Sequence, residues 1–131
     1  MEKANKKIFN LEKLNVWNKG RNFRKRIPKL TKKFPECEKY KLADQMLRAS
    51  RSVTANIAEG YGRFHYQENI QFCRQARGSL FELFDHLSVA SDEGYIDAGE
   101  IDDYKNQLFS LMRMLNGYIK YLETQKTKGV G

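Results

Sequence analysis

The sequence has few of the residues that mark disulfide-linked, metal-binding or membrane-spanning proteins. Its 131 residues include only two cysteines, Cys37 and Cys73, and their spacing matches neither a disulfide framework nor a metal-binding motif. No apolar run approaches the ~20 residues that a transmembrane helix requires, and no secretory apolar core follows the basic N-terminus. We therefore expect a cytoplasmic protein with reduced thiols and with no metal, cofactor or membrane partner.

Signatures of catalysis are also scarce. Gly60 and Gly62 follow an amphipathic segment instead of preceding one together with Lys and Ser or Thr, so they do not form a phosphate-binding loop. Glu82 and His86 are four residues apart and can share a helix face, but no Glu-x-x-His motif on another helix completes a ligand set. The sequence therefore predicts no catalytic residues and a protein that is not an enzyme.

Apolar residues recur at alternating steps of three and four, the pattern of nearly antiparallel helix packing. The clearest series belong to the third and fourth predicted helices: Cys73, Ala76, Leu80, Leu83, Leu87, Ala90, and Ile101, Tyr104, Leu108, Leu111, Leu115, Tyr118, Leu122. The sequence predicts one all-α domain over residues 1–131, an up-down-up-down antiparallel four-helix bundle with short loops. We expect helices at about 11–33, 35–59, 66–92 and 97–123, with flexible ends at 1–9 and 124–131.

Local signals set the predicted helix ends. Pro35 suits the first position of helix two, and Gly60 is expected to end that helix in the left-handed conformation. Gly94 is a natural stop for helix three, and Asp97 begins a capping box for helix four. Pro28 lies inside helix one and predicts a bend there.

Positive charge is concentrated at one end of the sequence. The chain carries +8, but residues 1–33 hold twelve Lys or Arg against two Glu, or +10, which leaves 8 − 10 = −2 for the remainder. This asymmetry favours an anionic partner, with nucleic acid first; the alternative is a solvated face that keeps the protein soluble. The candidate nucleic-acid-binding residues are Arg21, Arg24, Lys25, Lys29, Lys32, Lys33, Arg63, Arg74 and Arg77.

No recognition motif accompanies these basic residues, so we expect contacts mainly to the phosphate backbone. Most aromatic residues fall on the apolar stripes. Three near the loop after helix two, Tyr61, Phe64 and Tyr66, are candidates for stacking on bases. For these three, packing within the protein is the favoured alternative.

Four polar residues lie beside the apolar stripes, where each needs a partner: Arg48, Asn56, Glu59 and Glu82. We expect Arg48 to pair with Glu82 across antiparallel helices and Asn56 to bond the backbone after Gly60. A structural role, or a role in an oligomer interface, is therefore predicted for this set.

The sequence from Arg48 to Arg63, in helix two and the loop after it, resembles a known family. Arg48-Ala49, Ser52-Val53, Asn56-Ile57-Ala58-Glu59-Gly60 and Arg63 together resemble the signature of the 23S rRNA intervening-sequence protein family. Phe34-Pro35, Gly78-Ser79-Leu80 and Glu82-Leu83 support the match, which spans about residues 11–122. The resemblance implies a small four-helix-bundle protein related to the accessory variability determinant of diversity-generating retroelements.

The resemblance also implies a homopentamer, and its retroelement relatives associate with nucleic acid and a reverse transcriptase. Phe81, Phe109 and Ile119 lie off the main stripes and would leave apolar surface exposed in a monomer. The leading hypothesis is a non-catalytic, basic, oligomeric protein that binds RNA or an RNA–DNA hybrid. The alternative is a homo-oligomeric protein-interaction scaffold, such as an accessory subunit for a reverse transcriptase.

Overall fold

Within residues 10–129, which a computed structural model describes, four long helices form the bundle. They are α1 (Asn15–Thr31), α2 (Leu42–Tyr61), α3 (Tyr66–Asp92) and α4 (Ala98–Thr127). Each helix packs against the next, and α1 closes the ring against α4. The predicted all-α four-helix bundle is therefore confirmed. Among the described helices, none combines the length and apolarity needed to cross a bilayer.

The stripes of alternating three-and-four spacing form the interior of the bundle. Leu80, Leu83 and Leu87 of α3 and Leu111 and Leu115 of α4 are completely buried. Burial of one such side chain stabilises the fold by about 1.5–3 kcal/mol relative to exposure. Within residues 10–129, every fully buried side-chain nitrogen or oxygen has a hydrogen-bond partner. Among these residues the interior therefore contains no unsatisfied side-chain polar atom that would oppose its packing.

Three predicted helix limits are wrong. Helix one begins at Asn15, not near residue 11, and α4 continues to Thr127, so residues 124–127 are helical. Residues 1–9 and 130–131 of the predicted flexible ends lie outside the described residues. Helix two begins at Leu42, not Pro35, because residues 36–41 are nearly all polar and offer no apolar stripe to pack. They form a single 3₁₀ turn, Glu36–Glu38, followed by a hydrogen-bonded turn at residues 39–41.

Two glycines act differently from one another. Gly94 has φ +74° and ends α3 as predicted, with the Tyr95 N–H donating to the Ala90 carbonyl. Gly60 has no positive φ, and α2 continues through it, so the predicted left-handed cap is wrong. A Cβ at Gly60 would lie 2.6 Å from Asn69 Oδ1 of α3. Gly60 is therefore required by the close approach of α2 and α3.

The other local predictions concern α4 and α1. The Asp97 side chain accepts a hydrogen bond from the Glu100 N–H at 2.9 Å, so the predicted cap of helix four is confirmed. The α1 helix continues through Pro28 without interruption.

Candidate nucleic-acid interface

Helix α1 carries charge of one sign only. Its seventeen residues include six Lys or Arg and no Asp or Glu. Val16, Phe23, Ile27 and Leu30 are buried on the inner side. The basic side chains therefore occupy the sides of α1 and its outer face, and their neighbours on α2 and α4 determine which remain open to a ligand.

Acidic residues at the start of α4 attract two basic residues next to them. Arg26 Nη2 lies 2.8 Å from Asp103 Oδ2, and its guanidinium lies 4.2 Å from the centre of the Tyr104 ring. Lys33 Nζ lies 2.6 Å from a Glu100 carboxylate oxygen, and this hydrogen bond raises the pKa of Lys33. Lys33, a predicted nucleic-acid contact, is thus already paired within the protein.

Five of the predicted nucleic-acid contacts, four in α1 and one directly after it, form what we call the α1 basic face: Arg21, Arg24, Lys25, Lys29 and Lys32. Arg24 Nη1 donates to Thr54 Oγ1 of α2 at 2.8 Å, and the Arg21 guanidinium lies 5.9 Å from the Trp17 ring centre. Lys25, Lys29 and Lys32 are exposed, and no hydrogen bond or ion pair within residues 10–129 engages their side chains. Three ammonium groups are therefore free to meet an anionic ligand.

Arg51 of α2 is a further exposed basic residue one helical turn before Thr54, the partner of Arg24, and it is not among the predicted contacts. Its carbonyl accepts a hydrogen bond from the Thr54 hydroxyl that also meets Arg24. The sequence shows that Arg51 and Thr54 are three residues apart and can share a helix face. That spacing has meaning only once α1 is known to pack on this side of α2.

The other three predicted basic contacts lie away from the α1 basic face. Arg77 Nη1 of α3 donates to Asn116 Oδ1 of α4 at 2.9 Å, and Arg74 is exposed on α3, which is diagonal to α1 in the ring. Arg63 lies in the α2–α3 loop, 2.9 Å from Glu59 and 4.9 Å from the centre of the Phe72 ring. The nine predicted residues therefore do not form one surface.

The predicted pair between Arg48 and Glu82 is wrong. Arg48 Nε lies 2.9 Å from Asp44 Oδ2, one turn earlier on α2, and the Arg48 side chain is 79% exposed. On α3, Glu82 Oε2 lies 3.2 Å from His86 Nε2. Both residues point outward from the bundle, so each pairs along its own helix, where a partner four residues away is always near. The exposed Arg48–Asp44 pair contributes a few tenths of a kcal/mol.

Asn56 makes a different contact from the predicted one. Its Nδ2 donates to the Ser52 carbonyl at 2.9 Å and to Ser52 Oγ at 3.0 Å, not to the backbone beyond Gly60. Ser79 Oγ of α3 donates to Ser52 Oγ at 2.9 Å. These side chains link α2 to α3 at a partly buried seam, so a structural contact is present although its predicted geometry is not.

Exposed apolar residues cluster on the outer side of α3 and α4. Phe81 is 64% exposed and Phe109 is 43% exposed, and the Phe109 ring lies 5.7 Å from the Phe84 ring. We call Phe81, Phe84 and Phe109 the phenylalanine patch. Ile119 is buried at 4% exposure, so its predicted exposure is wrong.

Metal-ligating and nucleophilic side chains are dispersed. No group of three or more His, Cys, Asp or Glu residues within residues 10–129 is placed to hold a metal ion. Cys73 is completely buried, and burial raises the pKa of its thiol to about 12. Cys73 therefore stays protonated at neutral pH and is a poor nucleophile.

Comparison with known proteins agrees with this architecture. A family model described as 23S rRNA-intervening sequence protein matches residues 12–117. The fold is similar to a crystal structure from Bacteroides thetaiotaomicron, a protein with unknown function from the S23 ribosomal protein family. The TM-score is 0.74 at 24% identity, over 80% of this chain and 95% of that one. No curated protein sequence matches the chain.

Proposed function

The chain belongs to the 23S rRNA-intervening sequence protein family, and we propose that it is a non-catalytic, oligomeric protein of the cytoplasm that binds nucleic acid. The ligand is RNA or an RNA–DNA hybrid, contacted mainly through its phosphates. The observation that carries this proposal is the set of unpaired ammonium groups of Lys25, Lys29 and Lys32, on a helix without acidic residues and at its C-terminal end. The rRNA association in the family's name supports RNA as the ligand.

The chemistry of the α1 basic face suits a phosphate backbone. The three lysines lie at steps of four and three, so they follow one side of the helix. Flexible ammonium groups neutralise phosphates and release bound counterions, which makes binding fall steeply as salt rises. Because none of these contacts reads a base edge, the affinity gained from this face is nearly independent of sequence.

A triple variant with Lys25, Lys29 and Lys32 changed to Gln tests the proposal. No partner within the described residues is lost, so the variant is expected to fold like the parent protein. Binding to single-stranded RNA, measured at several salt concentrations, should weaken, and the slope of log affinity against log salt should fall by about two units for three phosphate contacts.

The matched control changes Arg113, Lys120 and Lys128 of the α4 region to Gln. It also removes three positive charges, from exposed positions on α4 and directly after it. Equal losses in the two variants would show that only net charge matters. Parent-like binding and slope in the Lys25, Lys29 and Lys32 variant would show that the α1 basic face is only solvated surface.

The phenylalanine patch supports the oligomeric part of the proposal. Two exposed phenylalanines beside a partly buried third are unfavourable in water and are suited to an interface between copies. A pentamer would have a mass of about 77 kDa, five times 15.4 kDa. Native mass spectrometry of the parent should give this value, and Phe81→Glu should lower it; a 15.4 kDa parent at micromolar concentration would contradict the proposal.

The same patch favours a second candidate function, a protein-interaction scaffold. In that case a different protein, for example a reverse transcriptase, contacts the assembled bundles and the basic face is incidental. This candidate takes the lead if the parent forms an oligomer and binds neither RNA nor a hybrid duplex at low salt.

A further inference from the structure

One end of the bundle contains an open cavity. This open end comprises the start of α1, the α2–α3 loop (residues 62–65) and the last turns of α4. The cavity has a volume of about 350 Å³, at the lower end of the range for small-ligand sites and suited to a single ring system. Five aromatic residues line it: Tyr61, Phe64, Tyr66, Tyr118 and Tyr121.

Two of the lining rings retain large exposed faces, and the other three are partly buried. Phe64 is 87% exposed and Tyr121 is 53% exposed, although aromatic side chains of this size are usually buried in part. The Tyr118 and Tyr121 rings are stacked, with centroids 6.4 Å apart and planes 15° apart. Nearly parallel rings beside an open space present flat surfaces on which a further planar ring can stack.

A hydrogen-bond donor accompanies these rings. Tyr118 Oη accepts a hydrogen bond from Asn69 Nδ2 at 3.1 Å, and no acceptor for the Tyr118 hydroxyl proton is present within residues 10–129. Burial raises the pKa of Tyr118 to about 12, so the hydroxyl keeps its proton at neutral pH. The proton can therefore be donated to a carbonyl oxygen or ring nitrogen of a ligand, which are acceptors that every nucleobase carries.

The cavity lies at the N-terminal end of α1, about 10 Å along the helix axis from Arg21, the first residue of the α1 basic face. Leu14, the residue before α1, lines the cavity, and α1 extends from there for about 25 Å at 1.5 Å per residue. Arg21 and Lys25 follow along this length, and Lys32 comes directly after it. A chain whose phosphates lie on the α1 basic face thus has an end directed at the aromatic rings.

We propose that the open-end cavity receives one unstacked nucleobase of a single-stranded nucleic acid whose backbone lies on the α1 basic face. This inference rests on the proposed function and adds to it a site that distinguishes single strands from duplexes. In a duplex every base is paired and stacked on its neighbours, so none can enter the cavity.

The experiment compares a twelve-nucleotide single-stranded RNA with a twelve-base-pair RNA duplex at one salt concentration. The test variant combines Phe64→Ala with Tyr121→Ala, both at exposed positions where truncation leaves the core intact. Its affinity for the single strand should fall by about 5- to 150-fold, the effect of losing one stacked base, with affinity for the duplex unchanged. The matched control is Tyr40→Ala, because Tyr40 is 82% exposed and lies before α2 at the other end of the bundle.

The outcomes separate this inference from the proposed function. Parent-like affinity of the test variant for the single strand overturns the nucleobase site, while the Lys25, Lys29 and Lys32 variant still reports on the α1 basic face. An equal loss for single strand and duplex also overturns it, since the effect would not depend on a free base. A parent protein that binds neither RNA overturns both.

Discussion

The two ends of the bundle contain similar aromatic residues and use them in opposite ways. At the closed end (residues 32–41 and 93–97), Phe34 is 8% exposed, its ring lies 5.4 Å from the Tyr95 ring, and the Tyr95 hydroxyl donates to Glu38 at 2.8 Å. At the open end, Phe64 is 87% exposed and the His65 side chain makes no capping hydrogen bond to α3.

The length of the connections explains the difference. The α1–α2 connection has ten residues, enough to cross the end of the bundle and bury Phe34, whereas the α2–α3 connection has four. A four-residue link can join two antiparallel helices but cannot cover the space between the other two. The closed end therefore contributes to stability, and the open end leaves aromatic surface exposed.

The largest expected difference between the two ends is in stability, when one phenylalanine is truncated at each end. Phe34→Ala should destabilise the protein by about 3 kcal/mol, because it removes a buried ring and leaves a cavity. Phe64→Ala should change the free energy of unfolding by less than about 0.5 kcal/mol, as is usual for exposed positions. Urea unfolding followed by circular dichroism measures both values; similar losses in the two variants would refute the difference between the ends.

A second test concerns Gly60, which allows α2 and α3 to meet beside the open end. In Gly60→Ala the added Cβ would lie 2.9 Å from Phe72 Cβ and 3.0 Å from the Asn69 carbonyl oxygen, so the helices must move apart. We expect a loss of about 1–3 kcal/mol. Gly78→Ala is the control: nothing lies within 4 Å of a Cβ there, and it should stabilise α3 by about 0.5–1 kcal/mol. If both variants stabilise the protein, the close contact at Gly60 is not a constraint.

The smallest effect distinguishes the tyrosines of the two ends. The pKa of Tyr95 and that of Tyr118 are both raised to about 12, the first chiefly by the hydrogen bond to Glu38 and the second chiefly by burial. Glu38→Gln should therefore lower the pKa of Tyr95 and leave that of Tyr118 unchanged. Phenolate absorbance measured during an alkaline titration reports both, and Tyr95→Phe assigns the signal.

The sign of the pH effect follows from these shifts. Each tyrosine has a higher pKa folded than unfolded, where it is about 10. Its contribution to stability is complete below pH 10 and is lost as the pH rises through about 12. In Glu38→Gln the loss should begin at lower pH, and an unchanged alkaline transition would show that Glu38 does not hold Tyr95.

The sequence predicted those features that depend on local spacing. The leucines of α3 and α4 recur at three and four residues, and all lie in the interior. Gly94 and Asp97 act within one turn of their own helix ends, so their roles could be inferred from neighbouring residues alone. The class of fold and its helix order follow from such short-range regularities.

The incorrect predictions concern residues whose partners lie on another helix. Glycine is the residue type expected at a helix cap, and only the position of Asn69 on α3 shows that Gly60 allows α2 and α3 to pack closely. Arg48 was expected to face inward, but the rotation of α2 in the bundle places it outside. Lys33 counted toward the basic surface until Glu100 was found beside it. Net charge along a sequence does not show which charges the fold neutralises.

The helix interfaces differ in extent, so the helices should differ in the free energy needed to open them locally. The interface between α2 and α3 is the most extensive of the four, and that between α1 and α4 is the smallest. Pro28 also removes one backbone hydrogen bond from α1. Amide protons of α1 should therefore exchange with solvent through fluctuations that need less free energy than those exposing the α2–α3 hairpin. A ligand bound along α1 would slow that exchange. Its binding could therefore be measured as increased protection of the α1 amide protons from hydrogen exchange.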